Sequence, residues 1–223
     1  MTQESIVFAD RTDAGRRLGH AIRKERFSEP LVMALPRGGV PVAFEVAKIL
    51  AAPLDLLIVR KIGAPGHPEY GIGALVDSDG PQVVLNAEAM RSVNPSESYV
   101  EAETERQRHE LARRRALYLG DQMRRSPRGR NVIIVDDGIA TGGTAKAAAR
   151  ALRQAGAAAL MLAVPVAPAS AVASLRDEVD RFVCLTTPNR FHAVSIYYED
   201  FEQTTDAEVI ALLKRTRGEG ESM

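Results

Sequence analysis

Short runs of uninterrupted apolar residues alternate along this chain with longer segments in which apolar positions recur every three or four residues. "LVMAL" (Leu31 to Leu35), "LDLLIV" (Leu54 to Val59), "NVIIV" (Asn131 to Val135), "ALMLAVPV" (Ala159 to Val166) and "RFVCL" (Arg181 to Leu185) have strand length and little polar alternation. Such runs predict strands covered on both faces. Between them, "DAGRRLGHAIRKERF" ahead of Pro30, "VPVAFEVAKILA", "GGTAKAAARALRQAG" ending at Gly156, and "SAVASLRDEV" carry helical spacing. Buried strands alternating with helices of this length predict an α/β fold, a parallel sheet with helices on both faces.

Two segments break the rhythm. Lys61 to Pro81, "KIGAPGHPEYGIGALVDSDGP", is dense in Gly and Pro and reads as a long mobile loop with at most a short hairpin. A loop of that length in a compact domain is usually functional. Ser96 to Met123 reads as a long helix with supporting pairs such as Glu110 with Arg114 and Glu103 with Arg106. Most of its surface is charged, which fits a solvated helix packed along one narrow stripe; a dimer or partner surface is the other reading.

Composition narrows the class. Of 223 residues, 45% are hydrophobic and 26% charged, which is ordinary globular usage and excludes a largely disordered chain. Lys plus Arg equals Asp plus Glu at 29 each, so no global field draws the protein to nucleic acid or anionic membrane, and any phosphate binding must be local. The beginning of the chain has no apolar signal-like region and no apolar run is long enough to span a bilayer, so a soluble cytoplasmic protein is expected, with neither nucleic acid nor membrane as a partner. The basic stretch "MRRSPRGR" (Met123 to Arg130) reads as a solvated linker, and Cys184, the only cysteine, as buried packing.

The chemistry concentrates in "VIIVDDGIATGGT", Val132 to Thr144. In open α/β sheets ligands sit beyond the carboxyl ends of the strands, where Asp136 and Asp137 fall. The small-residue turn after them leads into a helix, whose free N–H groups and positive end make an anion site that a phosphate can approach closely. Thr141 and Thr144 add hydroxyl donors. Adjacent carboxylates only accept hydrogen bonds and repel each other, so they call for a sugar diol, a metal or both. Phosphate and diol side by side describe a ribose 5-phosphate. No GxxxxGK[ST] frame and no GxGxxG after a strand competes with that reading.

Four hydrophobics, two acids and a T-G-G-T turn resemble the 5-phosphoribosyl 1-pyrophosphate (PRPP) motif of type I phosphoribosyltransferases. The resemblance covers roughly residues 5 to 215. It implies that Asp136 and Asp137 bind the ribose hydroxyls, that Gly138, Ala140, Thr141, Gly142, Gly143 and Thr144 surround the 5-phosphate, and that Mg²⁺ sits near the two acids, directly or through water. "PRGG" after the first sheet strand matches the family's pyrophosphate loop, with Arg37, Gly38 and Gly39 in place; two glycines expose N–H groups and Arg37 offers a forked donor. Arg60 and Lys61 match its basic pair at the next strand end, followed by the mobile loop with Glu69 and Tyr70 at its tip, while His67 reads as solvated. A C-terminal hood, residues 186–203, would meet the nitrogen acceptor through Arg190, Phe191, Tyr197 and Tyr198, with Asn189 and Phe201 nearby, although hood packing accounts for at least half of these aromatics.

The expectation is therefore one domain over residues 1–223 with the type I phosphoribosyltransferase fold, a helical insertion at 96–123 and a small hood. Its activity would be transfer of phosphoribose from PRPP to a nucleobase or related nitrogen compound, with Arg37, Arg60, Lys61 and Asp137 as catalytic residues. The helix at 96–123 resembles that of a subgroup whose acceptor is undefined, and a homodimer is compatible with the sequence. A non-catalytic PRPP- or nucleotide-binding regulator on the same fold is the alternative; a complete basic set and a full mobile loop favour catalysis, since a sensor need not exclude water.

Overall fold

The structure, a computed structural model, describes residues 7–120 and 122–218. In chain order the elements are α1 (Arg11–Lys24), β1 (Leu31–Ala34), α2 (Gly39–Leu50), β2 (Leu54–Leu56), β3 (Ile58–Ala64), β4 (His67–Asp77), β5 (Pro81–Leu85), α3 (Ala87–Val93), α4 (Glu97–Leu119), β6 (Asn131–Val135), α5 (Gly143–Gln154), β7 (Ala159–Val166), α6 (Ala169–Arg176), β8 (Arg181–Thr186) and α7 (Asp206–Gly218), with a 3-10 turn at Val194–Tyr197 before the last helix. Five strands form one sheet in the order β2-β1-β6-β7-β8, every neighbouring pair parallel.

The continuous apolar strands are explained by two cores, one on each face. Leu31, Met33, Val132, Ile134, Leu160 and Leu162 pack with α5 and α6, while Val32, Ala34, Ile133 and Val135 pack with α1, α2, α4 and α7. Burial on both faces removes the polar alternation that a half-wet sheet would show. In the register, Ala34 lies opposite Val135, so the chain leaves β1 and β6 at the same level.

Two expectations are corrected here. "LDLLIV" is not one strand: β2 ends at Leu56, the Leu57 amide bonds to the Ala34 carbonyl, and β3 then leaves in a second sheet, ordered β3-β4-β5 and antiparallel. Nor is Lys61 to Pro81 mainly a loop, because most of it is strand. Its glycines let strands approach closely rather than disorder them. A β-carbon on Gly63 would meet the Pro68 carbonyl oxygen at 2.6 Å, and one on Gly73 the Val84 carbonyl oxygen at 2.8 Å. The hairpin tip remains open, with Tyr70 50% exposed and His67 exposed.

The long helix is present as α4, and Glu103–Arg106 and Glu110–Arg114 pair as expected. Its buried stripe includes two polar residues, Glu103 and Gln107, beside Leu111, Tyr118 and Leu119. The basic linker after it is not merely solvated. Arg124, together with Arg115 of α4, pairs with Asp77, which is 3% exposed at the end of β4, and the Arg125 amide bonds to Asp55. These contacts tie the root of the hairpin to the parallel sheet. Cys184 is half-buried, its thiol bonded to the Thr186 carbonyl and pushed up in pKa by burial, in keeping with packing. Among the described residues, no helix is long and apolar enough to cross a membrane.

Candidate functional site

The helices of this fold divide by how they begin. Those outside the parallel sheet's crossovers carry side-chain caps: Asp10 on α1, Asn86 on α3 and Ser96 on α4. By contrast α2 and α5, which follow β1 and β6, begin at Gly38 and Gly142 with no capping side chain and no acid in the first turn. Amides of an uncapped first turn need an acceptor from elsewhere, and the helix end favours a negative one. Because β1 and β6 are neighbours in register, both helix starts open on the same end of the sheet. Gly142 has φ +82°, which glycine adopts at little cost, and Ala140, Thr141, Gly143 and Thr144 are exposed. Nothing lies within 4 Å of a β-carbon built on Gly143, so an oxyanion has room to reach the main chain.

The acid pair closes this end. Asp136 and Asp137 follow β6 directly, and the Asp137 amide donates to Asp136 Oδ1 at 2.9 Å. Burial first, and then the charge of Asp137, raise the Asp136 carboxyl well above the ordinary carboxylate range. The "PRGG" loop lies against both acids: a β-carbon on Gly38 would fall 2.0 Å from Asp137 Oδ2, and one on Gly39 2.9 Å from the Asp136 α-carbon. Glycine is thus required at 38 by the acid itself, a reason the sequence reading did not supply. The Pro36–Arg37 peptide in this loop is cis, and Arg37 reaches Asp206 at the start of α7, 3.6 Å away. Asp206 also accepts from the Tyr118 hydroxyl at 2.6 Å, and burial followed by that bond pushes Tyr118 up to about 12.

One residue of the site escaped the sequence reading. Arg11, in the first turn of α1, donates through Nε to Asp137 Oδ2 at 2.9 Å and through a terminal nitrogen to the Glu202 carbonyl, with its guanidinium over the Phe201 ring at 3.9 Å. A cation at a helix N-terminus opposes the helix dipole, and that was the only available sign that Arg11 has another partner. The hood completes the clamp. Tyr198 donates to the Asp137 carbonyl at 2.5 Å, and Gly138 is packed against Val194.

Of the hood residues, Tyr197 and Tyr198 are 3% and 6% exposed and pack with Phe8, so they serve the core rather than an open stacking face. Arg190 and Asn189 are exposed and Phe191 half-buried, stacked on Tyr197. The basic pair is separated: Arg60 and Lys61 lie inside β3, not at a strand end, and successive strand residues point to opposite faces. Arg60 bonds Gln107 of α4, whereas Lys61 extends along Gly71 to Glu69 at 2.7 Å.

Comparison with known proteins agrees with this geometry. The family described as "Phosphoribosyl transferase domain" matches residues 9–200. A Mycobacterium tuberculosis protein provisionally named a phosphoribosyl transferase, known from strains CDC 1551 and H37Rv, is 46% identical over 209 residues, which are 94% of this chain and 47% of that protein. The chain therefore spans about half the length of these curated relatives. The crystal structure of TT1426 from Thermus thermophilus superposes with a TM-score of 0.84 at 40% identity, covering 94% of this chain and 99% of that one. With two acids and a small-residue turn at the end of β6, and the family match running across both, this chain belongs to the phosphoribosyl transferase domain family.

Proposed function

We propose that the protein transfers the 5-phosphoribosyl group of PRPP to a nitrogen of a nucleobase or related small heterocycle, releasing pyrophosphate. The observation that carries this reading is the acid pair, Asp136 and Asp137, set beside two uncapped helix N-termini at one end of the sheet. The α5 turn would bind the 5-phosphate and the acids would accept from the ribose hydroxyls. The α2 turn with Arg37, and then Arg60 and Lys61, would meet the pyrophosphate. Displacement at the ribose C1 builds positive charge on the sugar and negative charge on the departing group, so positioning and electrostatics carry the catalysis.

Mg²⁺ fits the donor set. Asp136 and Asp137 offer carboxylate oxygens, and among the described residues no three His, Cys, Asp or Glu side chains gather to hold an ion alone. That suits a cation that keeps water and takes substrate phosphates as ligands, and bound there it would neutralise pyrophosphate charge. Of the hood residues expected to meet the acceptor, Arg190 and Phe191 keep exposed surface, whereas Tyr197 and Tyr198 are buried.

Isothermal titration with PRPP and Mg²⁺, followed by a pyrophosphate-release screen across purines, pyrimidines and smaller nitrogen heterocycles, tests the reading. Binding to the wild type, its loss by at least about a hundredfold in Asp136→Asn/Asp137→Asn, and turnover with some acceptor are expected. Absence of PRPP binding to the wild type overturns the proposal; binding without turnover across the screen favours a regulatory protein on the same fold.

A further inference from the structure

The buried stripe of α4 contains two polar side chains that packing alone does not explain. Glu103 and Gln107 are 7% and 8% exposed, one helical turn apart, where apolar residues would dock the helix at lower cost. Their hydrogen bonds form a directed chain. Gln107 Nε2 donates to Glu103 Oε1 at 2.8 Å, which turns the amide so that its oxygen accepts from Arg60 Nε at 3.0 Å. Glu103 is itself held by Arg106. Both ends of the amide have a partner of the right polarity, so its orientation is determined.

Arg60 is held in an unusual way for a half-buried arginine. Among the described residues its one hydrogen bond is this Nε contact to a neutral amide, and no carboxylate pairs with it. Arginines of α4, by contrast, are neutralised within that helix: Arg113 and Arg114 share Glu110, and Arg108 has Glu105. Burial, and next the charge of Arg114, lower the affinity of Arg60 for its proton; the main opposing charge is Glu110, which Arg113 and Arg114 already share. A glutamate at 107 would make the same bond and supply the missing charge. The chain places glutamine there and the glutamate one turn further away.

We infer that Gln107 is a positioning residue which fixes Arg60 through Nε without neutralising it, leaving both terminal nitrogens free to form a forked contact with pyrophosphate. The inference rests on the proposed function, and it gives the inserted helix a role: α4 fixes the arginine of β3 by its Nε. Anion binding by a guanidinium is strongest when no carboxylate competes for it.

Titration calorimetry with inorganic pyrophosphate, and separately with ribose 5-phosphate, at fixed Mg²⁺, tests this in the wild type, Gln107→Glu, Arg60→Met and the double variant. Gln107→Glu keeps the bond to Arg60 and gains an ion pair, but it loses the amide's bond to Glu103 and sets two carboxylates side by side, so its melting temperature should fall; the folded protein should bind pyrophosphate about tenfold more weakly, the worth of one charge-assisted contact. Ribose 5-phosphate affinity should be unchanged. In the Arg60→Met background Gln107→Glu should add no further loss. Equal pyrophosphate affinity in wild type and Gln107→Glu, or losses that add in the double variant, overturn the inference. Should Gln107→Glu fail to fold, Gln107→Met, which removes the bond that fixes Arg60, takes its place in the same cycle, with weaker pyrophosphate binding expected and no further loss in the Arg60→Met background. A wild type that binds ribose 5-phosphate but not pyrophosphate sinks this inference and leaves the acid-pair reading standing; one that binds neither sinks both.

Discussion

The turn after β6 and the hairpin of β3 and β4 are both rich in glycine, and glycine serves opposite purposes in them. After β6 the chain is pressed from three sides: the α1 arginine, the "PRGG" loop and the hood all touch Asp137. Gly38 exists to leave room for a carboxylate, while Gly143, at the start of α5, faces open space. In the hairpin, Gly63 and Gly73 let neighbouring strands approach, and the tip beyond them is exposed. A crowded acid site and an open basic arm thus use one residue type, once to accommodate charge and once to accommodate backbone.

Substitution at Gly38 should break that contrast most severely. Gly38→Ala puts a methyl group 2.0 Å from Asp137 Oδ2, so the carboxylate or the loop must move. A destabilisation of about 1–3 kcal/mol in urea unfolding, with loss of PRPP binding, is expected, as for other overpacked sites; an unchanged urea midpoint would show that the acid is free to swing away.

A smaller effect of opposite sign is expected at Asp136. Its folded-state pKa is raised, so the protonated form favours the fold. The acid costs nothing below the unfolded carboxylate value of about 4 and costs progressively more as pH rises from there toward the raised value. Asp136→Asn should therefore raise the melting temperature at pH 7.5, with the gain vanishing near pH 4, while PRPP binding is lost. Equal melting temperatures for the two proteins at pH 7.5 would contradict the assigned shift. Such a stability gain paired with lost function is the usual mark of a strained site.

Least disruptive should be Lys61→Met. The Lys61–Glu69 pair is exposed, with Glu69 97% accessible, so the urea midpoint should be essentially unchanged. A lowered midpoint would mean that the arm is held by this contact rather than by its strand pairing.

How much of this was legible beforehand depended on the range of the interaction concerned. The alternation of apolar runs and helical spacing is a local consequence of burial on two faces, and it located β1, β6, β7 and β8 and their helices closely. Asp136, Asp137 and the turn to Thr144 are contiguous, so their shared place after β6 and at the start of α5 could be read from spacing. The hairpin could not, since Gly and Pro signal turns in isolation, and only the neighbouring backbone at Pro68 and Val84 shows why Gly63 and Gly73 sit in strands. Arg60 and Lys61 are adjacent in sequence, yet the pleat sends them to opposite faces.

The sequence by itself determined the layered α/β architecture, because it follows from periodicities within a few residues of one another, and it offered the acid pair and the turn after it as the place that we propose holds a ribose phosphate. The tertiary structure decided the contacts between distant segments: Arg11 against Asp137 across 126 residues, Tyr198 against the same residue's carbonyl across 61, and Gln107 against Arg60 across 47. Hydrogen bonds and ion pairs between distant segments depend on where whole elements dock. That docking is set by the summed burial of the apolar clusters between elements and leaves no mark on the spacing of the polar residues it brings together.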